Sequence, residues 1–408
     1  MNRIHTTHAG SLIRPPELFP FLAATERGES VDEEAHAKAL QNAVDDVVRR
    51  QVAAGIDVVS DGELGKPTFI TYLYGRVGGL EQRVITDADD APLPTSRDRI
   101  AFPEFYAEHD ADFARHAADQ MRVGATDDGT GESAMPGQRV WFCTGPLTYD
   151  STVLQRDIAN LRAALEATGA TDAFIPTIAP ASTFYLLNEY YSSDEEFVYA
   201  LADAMHEEYK YVVDAGFLLQ VDDPVLLHEY DTVLARGGSV EDYRKWAELR
   251  VDALNHALEG IPEERVRYHV CYGSWHGPHV YDPPLRELID LVLRVKAAFY
   301  SIEQANPRHE HEWRIWEDVM LPEGKKLIPG IVTHHTTVVE HPRLVAERIV
   351  RLAKVVGREN VIGGTDCGFA QGAFVRRVHP TIQWAKLEAL AEGARLATNE
   401  LWGSKVAA

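Results

Sequence analysis

Short apolar or β-branched runs that stop at a polar tail recur along this chain, and that recurrence limits the fold more than any other feature. The runs are RIHTTHAGS, IDVVSDGE, RVWFCTGP, FLLQVDDP, VRYHVCYG, AFYSIE, LIPGIVTHH and NVIGGTDCG. Between most of them lie stretches with helical spacing. In DEEFVYALADAMHEEYKYVVDAG, Phe197, Leu201 and Met205 recur on one face, and PLRELIDLVLRVKAAF and HPRLVAERIVRLAKVVG read the same way. Strands alternating with helices imply a parallel sheet. About eight such units over 408 residues predict an α/β fold, a (β/α)8 TIM barrel formed by residues 1–408 as one domain. A doubly wound open sheet is the alternative. A ninth run, AFIPTIAP at 173–180, is read as an extended insertion rather than a barrel strand.

Residues 81–138 interrupt the alternation. TDADDAPLPTSRD and VGATDDGTGESAMPGQ carry little to bury, whereas the intervening IAFPEFYAEHDADFARHAADQ is aromatic enough to pack on something. An insertion of this length is read either as a lid over the site or as a surface excursion. The tail NELWGSKVAA is expected to fray.

The net charge of −23 argues against nucleic acid and anionic membrane surfaces as partners. No run approaches the roughly 18 apolar residues of a membrane span, and the first residues lack a signal-peptide core. Three cysteines are too few and too odd a set for a disulfide framework, so a cytoplasmic protein with reduced thiols is expected.

In a barrel, reacting side chains stand at the C-terminal ends of strands. His269 and Cys271 are two apart at the end of one such run, and on an extended strand both point to one side. Cys367 ends another run and Glu303 a third. A nitrogen, two sulfurs and a carboxylate oxygen suit zinc better than magnesium or calcium. Each residue also has a plainer reading, since cysteine is often buried as a small hydrophobe and a lone glutamate is often paired at the surface. Cys143, between Trp141, Phe142 and Thr144, is read as such a buried cysteine.

At these residues the chain resembles the cobalamin-independent methionine synthase superfamily, over about residues 4–400. HVCYG, SIE and GTDCGF are similar to that family's zinc-ligand segments in order. The resemblance implies Zn2+ held by His269, Cys271, Glu303 and Cys367. THAGSL is similar to the segment whose Gly-Ser backbone and hydroxyl hold a thiol substrate's carboxylate, here Gly10 and Ser11. SDGE and LLQVDDP imply Glu63 and Asp222 as acceptors for its amino group, with Asp223 standing where the family has Glu. GIVTHHTTVVEHP implies a catalytic acid at His335, with His334 as the one-residue alternative.

Departures shape what is expected next. Full-length methionine synthases have two barrels, and this chain has room for one. SWHGPHVYDPPL and DGELGKPTF look more like the short branch that includes epoxyalkane:coenzyme M transferases, where Lys66 would meet an anionic substrate group. The expected activity is a zinc-dependent thiol methyl- or alkyltransferase. Its partners would be a small-molecule thiol, homocysteine first, and an alkyl donor, with a corrinoid or methyl-carrier protein and a homo-oligomer also consistent. Epoxide ring opening by a thiolate is the alternative. From another class, a metal-free decarboxylase-like barrel or a non-catalytic zinc-containing barrel stays open. His8, His276, His279, His309 and His311 are read as partners behind the site or as surface groups. The Gly-Pro inside His276-x-x-His279 argues against a second metal pair.

Overall fold

The computed structural model describes residues 2–27, 29–85, 96–122, 138–183, 186–374 and 376–403. The strands are β1 (His5–Thr6), β2 (Val58–Val59), β3 (Val77–Ile85), β4 (Gln138–Tyr149), β5 (Asp172–Ile178), β6 (Leu186–Asn188), β7 (Leu218–Asp222), β8 (Val266–Val270), β9 (Phe299–Ile302), β10 (Lys326–Val332) and β11 (Ile362–Thr365). The helices are α1 (Phe19–Arg27), α2 (Glu33–Ala53), α3 (Arg97–Ala101), α4 (Pro103–Arg122), α5 (Thr152–Thr168), α6 (Asp194–Asp214), α7 (Pro224–Ala235), α8 (Val240–Ala257), α9 (Ile289–Arg294), α10 (Pro342–Val356) and α11 (Pro380–Trp402).

Eight parallel strands run in the order β1-β11-β10-β9-β8-β7-β5-β2. The two outer strands approach each other and all but close the ring. Asp57 N donates to Thr6 O at 3.1 Å, and Thr7 Oγ1 donates to Val58 O at 3.0 Å. The expected TIM barrel is therefore the observed architecture. Its strands are buried on both faces, as a parallel sheet wrapped by helices must be, so they read as continuous apolar runs rather than alternating ones. Helix starts are written locally: Asp32 caps α2, Ser193 caps α6, and Ser239 with Asp242 forms a capping box on α8. On α10, Val345, Ile349, Leu352 and Ala353 form the apolar stripe that faces the barrel.

Two strand assignments made from sequence need correction, and they exchange places. AFIPTI is a barrel strand, β5, paired residue by residue with β7. It carries Pro176, which has no ladder donor to offer. β2, however, pairs with β5 only at Asp172 and Ala173, so among the described residues no strand pairs with Pro176 on that side. There the Pro176 carbonyl accepts a bond from Lys66 Nζ at 2.6 Å instead. RVWFCTGP belongs to β4, outside the barrel. It pairs antiparallel with β3 and parallel with β6 in a separate three-stranded sheet. That sheet buries Tyr74, Cys143 and Leu186 against Phe197 and Leu201 of α6, which accounts for its apolar pattern without barrel membership.

The excursion from the barrel is also longer than residues 81–138, because the antiparallel ribbon begins at Val77 and returns as far as Tyr149. Within it, residues 86–95 and 123–137 lie outside the described residues. At the other end of the chain, Asn399–Trp402 continue α11 rather than fraying, with the Arg358 guanidinium 4.7 Å from the Trp402 ring; residues 404–408 lie outside the described residues.

Candidate metal and substrate site

Parallel register sets neighbouring strand ends level. Asp222 stands beside His269, and His269 beside Ser301. Cys271 follows β8 by one residue, and Cys367 follows β11 by two. A ring nitrogen of His269 and the sulfurs of Cys271 and Cys367 all lie within 4.8 Å of one another, with the two sulfurs 3.7 Å apart. His269 Nδ1 bonds to Ser301 Oγ at 3.1 Å, which leaves the buried Nε2 without a hydrogen-bond partner. A buried polar atom with no partner is costly, and a ring nitrogen fixed from behind while the other stays open is the usual preparation of a metal ligand. The sulfurs stabilise opposite states. Cys271 donates toward Cys367, which with His269 and Ser274 holds Cys367 well below the usual thiol range; the same pairing and burial push Cys271 up. Ser274 Oγ lies 2.9 Å from Cys367 Sγ. This triad suits a soft or borderline cation.

Glu303 sits beside the triad, in a second group with His334 and His335. Its oxygens are engaged: Oε2 accepts from Tyr272 N at 2.9 Å, and Oε1 from Asn306 Nδ2 at 2.6 Å and His335 Nε2 at 3.0 Å. Burial alone would raise its pKa, but the His335 bond and the charges of His335 and His309 outweigh it and hold the carboxyl well below its usual range. The neighbouring loop is pinned by Asp366, whose Oδ1 accepts from Gln304 N and Ala305 N at 2.9 and 2.6 Å. Gly330 on β10 makes room for that carboxylate, since a Cβ there would stand 1.9 Å from Asp366 Oδ1.

The two adjacent histidines are not equivalent. His334 is fully buried, neither ring nitrogen has a partner, and burial pushes its pKa far down. His335 keeps partial exposure and the Glu303 bond.

A cavity of about 490 Å3 opens over the triad. Ser11, Asp222, His269, Cys271 and Cys367 form its floor and near wall. Ser96, Arg99, Tyr106, His109 and Asp110 of the long excursion also line it, and Trp275 Nε1 donates to Tyr106 OH at 3.1 Å. Burial pushes Asp222 up to about 8, against the opposing pull of His269, and Gln220 Nε2 donates to its Oδ1 at 2.8 Å.

The remaining expected contacts are arranged differently. Gly10 and Glu63 do not line the cavity. Ser11 Oγ donates to Glu63, and Lys66 Nζ lies 3.1 Å from Glu63 Oε1 with both side chains buried. Lys66 is thus committed to Glu63, to the Pro176 carbonyl and to the Tyr72 ring 4.1 Å away, and does not reach the cavity. Asp223 faces away as well, accepting from Ser182 Oγ and Tyr268 OH at 2.6 and 2.8 Å. His279 and His309 both bind Asp282 Oδ2 at 2.9 Å, His8 bonds Gln51 at 2.7 Å, and His311 is exposed. Sequence reasoning missed Ser274, Ser301, Asn306 and Arg377. Only Ser301, in the SIE segment, carried a signal, as its register with His269 follows once the strands are placed.

Comparison with known proteins returns one family. A family model described as the catalytic domain of cobalamin-independent synthase matches residues 186–384. The methionine synthase of Thermococcus kodakarensis is 23% identical over 398 residues, covering 97% of this chain and 94% of that protein. The 2-hydroxypropyl-CoM lyase of Xanthobacter autotrophicus is 22% identical over 401 residues, covering 91% and 88%. A B12-independent methionine synthase from Shewanella sp. W3-18-1, solved in complex with selenomethionine, superposes with a TM-score of 0.69 at 20% identity, over 98% of this chain and 99% of that one. This chain therefore resembles the cobalamin-independent methionine synthase superfamily, and carries the match to its catalytic domain in the half of the barrel that supplies His269, Cys271, Glu303 and Cys367.

Proposed function

We propose that the protein is a zinc-dependent thiol alkyltransferase. The observation that supports this most directly is the floor of the cavity, where two sulfurs and an unpartnered imidazole nitrogen converge. His269, Cys271 and Cys367 would hold the ion, with Glu303 beside them as the candidate fourth ligand. Bound zinc would lower the pKa of a coordinated thiol from about 8.5 so that the sulfur is presented as thiolate at neutral pH.

The chain's own residues then have distinct tasks. Ser301 fixes the His269 ring, and Ser274 steadies the Cys367 sulfur. Asp222 accepts from the amino group of an amino acid thiol such as homocysteine, with Ser11 beside it on the cavity wall. His335, steadied by Glu303, delivers a proton to the leaving group. The excursion carrying Tyr106 closes the mouth over an alkyl donor and keeps water out.

A second reading is epoxide opening by a thiol without an amino group. One observation favours it: of the two carboxylates expected to meet an amine, Glu63 is neutralised by Lys66 and only Asp222 faces the cavity.

The test is metal analysis of the purified protein with Cys271→Ser and Cys367→Ser. Each change should lose most of the zinc while the barrel stays folded, because in a chain this long the core supplies most of the stability. Full zinc in both variants, or no change in zinc-edge absorption on adding any of a panel of thiols, sinks the proposal.

A further inference from the structure

Arg377 lines the same cavity from the loop that follows Cys367. The loop is firmly held. Arg377 N donates to Phe369 O at 2.9 Å, its Nε donates to Gln371 Oε1 at 2.7 Å, and Gln371 Nε2 donates to Gly368 O at 2.6 Å. A backbone strap ties it to the loop after β2, through Phe69 N to Gln371 O at 3.1 Å and Ala373 N to Pro67 O at 2.8 Å. The guanidinium is therefore fixed, yet no carboxylate pairs with it among the described residues.

This is unexpected in a chain with 63 acidic and 40 basic residues. The other arginine in the lining, Arg99, has a carboxylate partner in Asp110, at 2.7 and 3.2 Å. Lys66 is consumed by Glu63. A partly buried cation with no carboxylate partner, drawn only to the Cys367 sulfur, carries a desolvation cost that an incoming anion relieves, and a guanidinium presents paired donors that match a carboxylate or sulfonate. It shares the cavity lining with Cys271 and Cys367, and its charge acts on Cys367, His276 and His334.

We propose that Arg377 is the anion-recognition residue of this cavity, and that one of the reacting small molecules carries a compact monoanionic group, a carboxylate or a sulfonate, docked on it. The inference deepens the alkyl-transfer reading and rests on it for the word reacting. The anion could belong to the thiol or to the carbon electrophile, and the experiment separates the two.

In its first arm, full-length protein stripped of metal by a chelator is treated with iodoacetate or with its neutral analogue iodoacetamide. The Cys367 thiolate displaces iodide and forms an S–CH2 bond, and the modified residue is mapped by mass spectrometry. Wild-type protein should react with iodoacetate at a saturable rate and faster than with iodoacetamide, the reverse of simple thiols. Arg377→Gln should lose the saturation and lower the ratio of the iodoacetate to the iodoacetamide rate by roughly tenfold to a hundredfold, a ratio in which any change of the Cys367 thiolate fraction cancels. Arg377→Lys should fall between, and circular dichroism checks that all three are folded. The same reagent preference in wild type and Arg377→Gln overturns the proposal.

The second arm titrates metal-loaded wild type and Arg377→Gln with homocysteine, 2-mercaptoethanesulfonate and 2-mercaptoethanol by calorimetry. Weakening confined to the anionic thiols assigns the anion to the thiol; unchanged thiol affinity, with the first arm positive, assigns it to the electrophile. Failure of the alkyl-transfer reading would be seen separately, as no metal or thiol uptake by wild type while the alkylation preference persists.

Discussion

Replacing Lys66 by Met separates a structural cation from a substrate-binding one. The Lys66 ammonium makes three contacts in the barrel wall: Glu63 Oε1 at 3.1 Å, Pro176 O at 2.6 Å and the Tyr72 ring at 4.1 Å. Its side chain and that of Glu63 are 4% and 2% exposed, so water cannot take over for either charge. Met fills much the same volume, so little cavity is created. What remains among the described residues is a buried carboxylate hydrogen-bonded to Ser11, with the Arg14 charge nearby, and breaking a buried pair from one side costs about 3–5 kcal/mol. The backbone adds to the effect, because Glu63 holds φ 57°, in the left-handed region, and the surrounding contacts keep it there. The assay is guanidinium unfolding of wild type, Lys66→Met, Glu63→Gln and the double variant, with metal content alongside. Lys66→Met should lose about 3–5 kcal/mol, the double variant should recover much of that, and metal content should stay unchanged. Stability within about 1 kcal/mol of wild type together with weakened binding of an anionic thiol would refute the reasoning and return Lys66 to the substrate site.

Three further outcomes follow from the same structure. His309 is held between Asp282 and Glu312, which, against burial, raise its pKa from 6.5 to about 9. Because the folded value lies above the unfolded one, the stabilisation is fully present below pH 6.5 and lost between 6.5 and about 9; relative to His309→Gln it should amount to about 3 kcal/mol at the acid end, and a pH-independent difference between the two proteins contradicts it. Gly330→Ala would place a methyl 1.9 Å from Asp366 Oδ1, so it should cost about 1–3 kcal/mol in thermal unfolding and lower metal affinity through the Glu303 loop; unaltered affinity would disconnect Asp366 from the site. Tyr106→Ala removes the bond from Trp275 and opens the cavity mouth, and should slow alkyl transfer while metal content and thiol affinity hold; a matching loss of thiol affinity would place Tyr106 in the thiol's own binding site.

The sequence made the barrel legible because its central strands are covered on both faces and so stay apolar to their ends, where a change of residue type marks the site. His269, Cys271 and Cys367 were legible for the same reason, as the strand period alone aligns the first two. The failures have equally local causes. β5 was set aside as a ninth run while β4 took its place in the count, and what admits Pro176 to the ladder, a β2 only two residues long, is a fact no local pattern carries. β4 mimicked a barrel strand because it too is apolar, but it spends that surface on α6. The roles of Lys66 and Arg377 could not be read because they depend on which carboxylates lie nearby in space: Glu63 claims the first and none among the described residues pairs with the second.

The sulfurs of Cys271 and Cys367 are 96 residues apart, and the strands that carry them, β8 and β11, are separated in the sheet by β9 and β10. A growing chain therefore holds one of the triad's thiols and its imidazole long before the triad's second thiol exists. Only when β11 takes its place between β10 and β1 does a chelate with two sulfurs form. On the zinc-site proposal, uptake of the metal is thereby tied to completion of the ring. A chain ending before β11 holds Cys271 and, apart from it in the outer sheet, Cys143, and on the zinc-site proposal it should capture such an ion no better than a peptide with a single thiol.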